Sequence, residues 1–247
     1  DNKKEASIAL LGSKPITLSE FPLLKGIFRA GIGKDNVPEN EAKQKGIIVR
    51  YPSKQTSNII FNETASFTCN LIFNMLYQKV GDIETWAKEP REAMHEKNLL
   101  VVGMGNIGRR VFDRMKYFMK VDSFDVLEND ISELNPLLCV ADCITLHIPN
   151  VDENKAFFDK KKLSKMKNNS VLVNTARGPL VDESALYQEI RNKRIRAAFD
   201  VFWKEPYDGK LKEFYPENFF MTPHISSTCN AFVRGCRDGL NELIGEI

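Results

Sequence analysis

The sequence predicts an α/β protein, with a doubly wound parallel sheet beside a second, smaller α/β unit. Three observations predict this. From about Asn98 onward, short apolar runs alternate with helix-period segments. Several runs are apolar on both faces, as strands covered by helices on both sides must be. One of them leads straight into a glycine-rich turn that opens a helix, the join found in a βαβ unit.

In the longer part, the strand candidates are Asn98–Gly103, Val121–Val126, Asp142–Ile148, Ser170–Ala176, Ile195–Val201 and Phe219–Ile225. Helix-period segments separate them at Ile107–Phe118, Ile131–Cys139, Lys160–Met166 and Asp182–Arg191. Alternation at this spacing calls for parallel strands joined by helical crossovers. The N-terminal stretch forms the other unit. Its strands are expected at Ser7–Gly12, Gly26–Gly31 and Gly46–Tyr51, and its helices at Leu18–Leu24, Glu39–Lys45 and about Glu63–Lys79. The polar segment Gly81–Glu96, with Trp86 and Pro90, reads as the crossing between the units. Asn230–Ile247 reads as a helix returning to the first unit.

Composition narrows the function. A chain of 247 residues, 43% hydrophobic and 28% charged, is an ordinary globular sequence. Thirty-five Lys and Arg against thirty-three Asp and Glu leave +2, which lacks the basic field of a nucleic-acid binder. The apolar runs are too short and interrupted to cross a bilayer, and no N-terminal stretch has a signal-peptide pattern. Five Cys form no C-x-x-C pair and three His are scattered, so no metal is expected. Unpaired thiols fit a cytoplasmic setting.

The segment VVGMGNIGRRV places Gly103, Gly105 and Gly108 in G-x-G-x-x-G register between a strand and a helix. Such glycines allow a tight turn, close approach of backbone to a pyrophosphate and close helix–strand packing. The helix N-terminus beyond, at Asn106 and Ile107, offers N–H groups and the positive end of a dipole. The plainer reading is a turn that serves packing alone. Asp125 ends the next strand candidate, seventeen residues after Gly108, where an acid would hold the adenosine ribose hydroxyls and disfavour a 2′-phosphate. NAD is therefore the expected cofactor, in preference to NADP.

Arg177, Glu205 and His224 follow later strand candidates, at the edge where open α/β sheets gather ligands. A planar guanidinium suits a carboxylate, an imidazole shuttles protons near neutral pH, and a carboxylate orients the imidazole. Spacing alone still favours a turn arginine, a solvated glutamate and a strand-end histidine.

Six stretches tip this balance: LKGIFRAGIGKDNV (Leu24–Val37), LLVVGMGNIGRRV (Leu99–Val111), ADCITLHIP (Ala141–Pro149), MKNNSVLVNTARGPLVDESAL (Met166–Leu186), AAFDVFWKEP (Ala197–Pro206) and MTPHIS (Met221–Ser226). In these stretches, taken in order, the sequence resembles the D-isomer-specific 2-hydroxyacid dehydrogenases, the family of phosphoglycerate, glycerate/glyoxylate and D-lactate dehydrogenases. The resemblance implies a Rossmann-type NAD-binding domain over residues 79–228. It also implies a flavodoxin-like substrate-binding domain over 1–78 and 229–247, short at its N-terminus.

By the same resemblance, Arg177 binds the substrate carboxylate and keto oxygen, Glu205 pairs with the catalytic histidine, and His224 is the general acid/base. Asp200 would contact the nicotinamide carboxamide. Thr175 and Ala176 would line the nicotinamide site, and His147 and Pro149 the adenine side. The loop Ala30, Gly31, Ile32 and Gly33 would offer N–H groups to the substrate. The family implies a homodimer through the nucleotide domain, with the Trp86 segment as a plausible arm and a solvated linker as the alternative. The fold also serves a non-catalytic, NAD(H)-sensing corepressor, which is the alternative function. One departure stands out: the loop expected over Pro52–Glu63 is about two residues longer than usual and lacks its glycines. Phosphoglycerate dehydrogenases carry a basic residue near the segment Ser13–Pro15 for the substrate phosphate; Lys14 could fill that role, with a solvated turn lysine as the equal alternative. Glu205 stands where formate dehydrogenases carry Gln, which disfavours formate.

Overall fold

In chain order the elements are β1 (Ile8–Leu11), β2 (Gly26–Arg29), α1 (Glu39–Gln44), β3 (Ile48–Arg50), α2 (Lys54–Leu76), β4 (Gly81–Asp82), β5 (Ala87–Lys88), β6 (Asn98–Val102), α3 (Asn106–Met115), β7 (Lys120–Phe124), α4 (Leu134–Val140), β8 (Cys143–Leu146), α5 (Lys160–Lys165), β9 (Val171–Asn174), α6 (Glu183–Arg191), β10 (Arg196–Phe199), β11 (Phe219–Met221) and α7 (Asn230–Glu246). They come from a computed structural model that describes residues 2–78 and 80–247. The expected boundaries at residues 1 and 79 lie outside the described residues. Contacts divide the chain into unit 1, Asp1–Glu63 with Ser227–Ile247, and unit 2, Thr64–Ser226.

Unit 2 is built on a six-stranded sheet in the order β11-β10-β9-β8-β6-β7, parallel throughout. Alternate residues face opposite layers. Leu100, Val102, Ile144, Leu146, Leu172 and Phe199 pack into one apolar layer, whereas Leu99, Val101, Cys143, Val171, Val173 and Ala198 pack into the other. Strands buried on both faces explain the continuous apolar runs of the sequence. The order reverses at β6, which has β7 on one side and β8 on the other. Such a switch point leaves a crevice beyond the carboxyl ends of the strands, where these folds take their ligands.

Unit 1 carries a three-stranded parallel sheet, β1-β2-β3. Ile27 packs with Leu11, Leu18, Val37 and Ala42 on one face. Phe28, its neighbour, packs with Cys236 and Leu243 of α7 on the other. The C-terminal helix thus belongs to this unit, as its pattern predicts.

Four expectations are corrected. The helix expected at Leu18–Leu24 is a single 3-10 turn, Leu18–Glu20. Pro22 drives the residue before it out of the helical region, and Phe21 stands at φ −126°, ψ 73°. The stretch Pro52–Glu63, expected as a loop, is mostly the first half of α2. It contains no glycine, and the Ser53 hydroxyl accepts the Thr56 N–H at 3.2 Å, capping the helix nine residues before the expected start. Ile131–Cys139 begins as a 3-10 turn, capped by Asp130, before it becomes α4. Gly81–Glu96, expected as a plain crossing, forms the antiparallel hairpin β4–β5 within unit 2. No helix among the described residues is long and apolar enough to cross a membrane.

Candidate functional site

The glycine turn joins β6 to α3 at the switch point of the sheet. Gly103 has φ +97°, a conformation that side chains resist, and a Cβ there would come within 2.7 Å of the His147 carbonyl. Gly108 is buried, and a Cβ on it would collide with the Gly103 carbonyl. Gly105 differs from both. It is exposed, and a Cβ would meet nothing within 4 Å. Packing does not ask for glycine at 105; a ligand approaching the backbone closely would. The helix begins at Asn106, so the N–H groups of its first turn point toward that open ground.

Asp125, just past β7, ties itself to this turn. Its carboxylate accepts the Met104 N–H at 2.7 Å and the Leu127 N–H at 3.0 Å, while Gly103 N–H donates to the Phe124 carbonyl at 2.8 Å. An acid held beside the exposed Gly105 turn fits a dinucleotide whose ribose hydroxyls need acceptors. His147 follows β8, with Nε2 3.1 Å from the Thr145 hydroxyl; loss of hydration pushes its pKa down to about 3, so the ring is neutral. Pro149 is exposed, and its carbonyl accepts from the Asn154 amide.

At the ends of β9, β10 and β11 lie the groups expected to do chemistry. Glu205 and His224 meet. The His224 Nδ1 lies 2.9 and 3.0 Å from the two Glu205 carboxylate oxygens, with side chains 29% and 23% exposed. Glu205 also accepts the Phe202 N–H at 3.2 Å. With Nδ1 engaged, Nε2 is the nitrogen that remains for a substrate. His224 itself has φ +54°.

The turn around His224 is held by Asp200. Asp200 is fully buried, and its carboxylate accepts the Thr222 hydroxyl at 2.6 Å, the Ile225 N–H at 2.8 Å and the Ser226 N–H at 2.9 Å. Thr222 in turn accepts the His224 N–H at 3.0 Å. The partners of Asp200 in this structure are thus the groups that shape the histidine turn.

Arg177 is half-buried just beyond β9 and donates from Nη1 to the Ala176 carbonyl at 2.7 Å. Asn174 splints the backbone leading to it. Its Oδ1 accepts the Ala176 N–H at 3.0 Å, and its Nδ2 donates to the Arg177 carbonyl at 2.8 Å. A Cβ on Gly178 would collide with the backbone of Phe202 and Trp203, so the segment after Arg177 passes directly against the one before Glu205.

In unit 1, the loop Ala30–Gly33 follows β2 and is shaped from within by Arg29. That buried guanidinium donates to the carbonyls of Ala30 at 2.5 Å and Gly33 at 3.1 Å, and to Asn36 Oδ1 at 3.0 Å. Asn36 passes the support on to the carbonyls of Gly12 and Lys14. Arg29, Asn36, Asn174 and Thr222 escape sequence reasoning. Only the position of Asn174, between an apolar strand and a turn, signals a side chain that bonds its own backbone.

The chain is similar to known proteins. The D-isomer specific 2-hydroxyacid dehydrogenase, NAD binding domain, matches residues 73–226. The hydroxypyruvate reductase of Thermotoga maritima is 32% identical over 219 residues, covering 83% of this chain and 71% of its own. The glycerate dehydrogenase of Methylorubrum extorquens is 33% identical over 245 residues, covering 90% and 76%. Among solved structures, a D-lactate dehydrogenase from Aquifex aeolicus, complexed with NAD and lactic acid, superposes with a TM-score of 0.78 at 25% identity, covering 98% of this chain and 83% of that one. With the family's nucleotide domain matched over most of unit 2 and relatives a third identical along most of its length, this chain belongs to the D-isomer specific 2-hydroxyacid dehydrogenases and is an NAD-dependent enzyme of that family.

Proposed function

We propose that the enzyme interconverts a small D-2-hydroxy acid and its 2-keto acid, of the phosphoglycerate, glycerate/glyoxylate or lactate type. The observation that carries this reading is the Glu205–His224 pair, a proton carrier with its orienting carboxylate. Bound NAD supplies the hydride acceptor for C2, or as NADH the donor. In reduction, protonated His224 hydrogen-bonds the keto oxygen through Nε2 and delivers its proton there as the carbonyl becomes an alcohol. Glu205 stabilises the imidazolium and fixes the ring. Arg177 polarises the carbonyl and holds the carboxylate. In oxidation His224 takes the hydroxyl proton instead.

Gly103, Gly105 and Gly108, with the N–H groups of Asn106 and Ile107, seat the pyrophosphate. Asp125 takes the ribose hydroxyls. His147 and Pro149 line the adenine side, Thr175, Ala176 and Asp200 the nicotinamide side. The loop Ala30–Gly33 offers N–H groups to the substrate. An NAD(H) sensor without catalysis is not favoured, because it has no need of the acid–base pair. The chain is further proposed to form a homodimer through the nucleotide domain, using the hairpin β4–β5 that exposes Trp86 and Ile83 at 78% each. Light scattering should then return twice the 28.2 kDa chain mass.

The deciding experiment follows NADH oxidation with glyoxylate, hydroxypyruvate, pyruvate and phosphohydroxypyruvate. Turnover with at least one is expected. Tight NADH binding with no turnover on any 2-keto acid would replace the enzyme reading with the sensor.

A further inference from the structure

We propose that Thr68, on α2, is a positioning residue for the strand end that carries Thr175, Ala176 and Arg177. The proposal rests on the functional reading above and assigns the site a support it otherwise lacks. Thr68 is fully buried, and Thr175 is 5% exposed just past β9. Their hydroxyl oxygens lie 2.8 Å apart, although 107 residues separate them in sequence. The Thr68 hydroxyl is also 2.7 Å from the Thr64 carbonyl, one turn earlier in the same helix.

These two contacts settle the direction of the chain of bonds. A carbonyl only accepts, so the Thr68 proton goes to Thr64. The Thr68 oxygen then faces Thr175 with lone pairs, and Thr175 must donate. Its hydroxyl is thereby turned into α2. Because a β-branched side chain has few χ1 choices, fixing the hydroxyl fixes the whole residue. Asn174 clamps the next two residues through the Ala176 N–H and the Arg177 carbonyl. Thr68 and Asn174 together hold every residue between β9 and the guanidinium.

Bulk alone does not call for a hydroxyl here. The neighbouring face of α2 buries Ala65, Leu71, Ile72 and Met75 in an apolar layer with Val173. Valine would match the shape of Thr68 but would leave the Thr175 hydroxyl without its acceptor. What the hydroxyl adds is orientation of Thr175, and a substrate clamp tolerates little misplacement.

The test compares Thr68→Val and Thr68→Ser with wild type, using NADH and whichever 2-keto acid the wild type turns over best. Thr68→Val should lower kcat/KM for the keto acid about tenfold, mostly in its KM, with the Kd for NADH within about twofold. Thr68→Ser, which keeps the hydroxyl, should stay within about twofold of wild type. A Thr68→Val protein with a lowered Tm but wild-type kcat/KM would overturn the proposal, as would equal losses in both variants. Should Thr68→Val fail to fold, Thr68→Ala removes the same bond from the same side of the contact and carries the same expectation, and an unchanged kcat/KM there overturns it. A wild-type chain inactive on every 2-keto acid would instead overturn the functional reading, and this proposal with it.

Discussion

Glu205 presents both carboxylate oxygens to one nitrogen of His224, at 2.9 and 3.0 Å. The pairing fixes which ring nitrogen faces away and supplies a counter-charge when the ring carries two protons. His224→Ala should therefore lower kcat by about 10³-fold and Glu205→Gln by about 10²-fold, within the span of general acid–base catalysis. NADH affinity, read by fluorescence titration, should change less than about threefold in both. A His224→Ala enzyme with undiminished turnover would remove the imidazole from the chemistry.

The three glycines of the turn should fail in different ways. Gly108→Ala forces a methyl group onto the Gly103 carbonyl and should destabilise the fold by about 2 kcal/mol, read by thermal melting. Gly105→Ala meets no protein atom, so its stability should stay within about 0.5 kcal/mol of wild type. Its NADH Kd should rise about tenfold or more, because the added methyl stands where a pyrophosphate would approach. Wild-type affinity in Gly105→Ala would mean that the dinucleotide lies elsewhere.

Asp125 is anchored by the Met104 and Leu127 N–H groups beside the turn. Asp125→Ala removes the negative charge that repels a 2′-phosphate. The ratio of kcat/KM with NADH to that with NADPH should fall about tenfold or more. A ratio equal to wild type would separate Asp125 from cofactor choice.

His147 gives the fold a dependence on pH. Its folded pKa, about 3, lies below its ordinary value of 6.5 because burial penalises the charged ring. The unfolded chain takes up this proton first as the pH falls. The stability contributed by the neutral ring is complete above about 6.5 and is lost between there and about 3. At pH 4 the loss should be on the order of 2 kcal/mol, allowing for the partial exposure of the ring. Urea midpoints of wild type and His147→Asn, measured from pH 7 to pH 4, should show the wild type losing more. Parallel curves would exclude His147 as the source.

The sheet of unit 2 was legible because burial on two faces writes itself as unbroken apolar runs, such as Leu99–Val102 and Val171–Val173. Local exceptions were harder. Pro22 cut a helix whose apolar spacing looked sufficient, and Ser53 started α2 well ahead of its apolar stretch. In the site, Arg177, Glu205 and His224 were visible from their places after strands and from the resemblance. Their supports were not. Asn174, Thr222 and Arg29 act through hydrogen bonds to nearby backbone or to buried side chains, and such bonds leave no periodic trace. Thr68 finds its partner 107 residues away, and only a folded chain brings the two together.

The positive φ of His224 limits what can stand in its place. Few side chains sit comfortably in that backbone state, and Asn is among those that tolerate it best, whereas β-branched residues resist it. An inactive protein intended for trapping a bound keto acid is therefore better made as His224→Asn than as His224→Val. The asparagine silences proton delivery while leaving the path of the polypeptide undisturbed, so the captured geometry would report on the working enzyme.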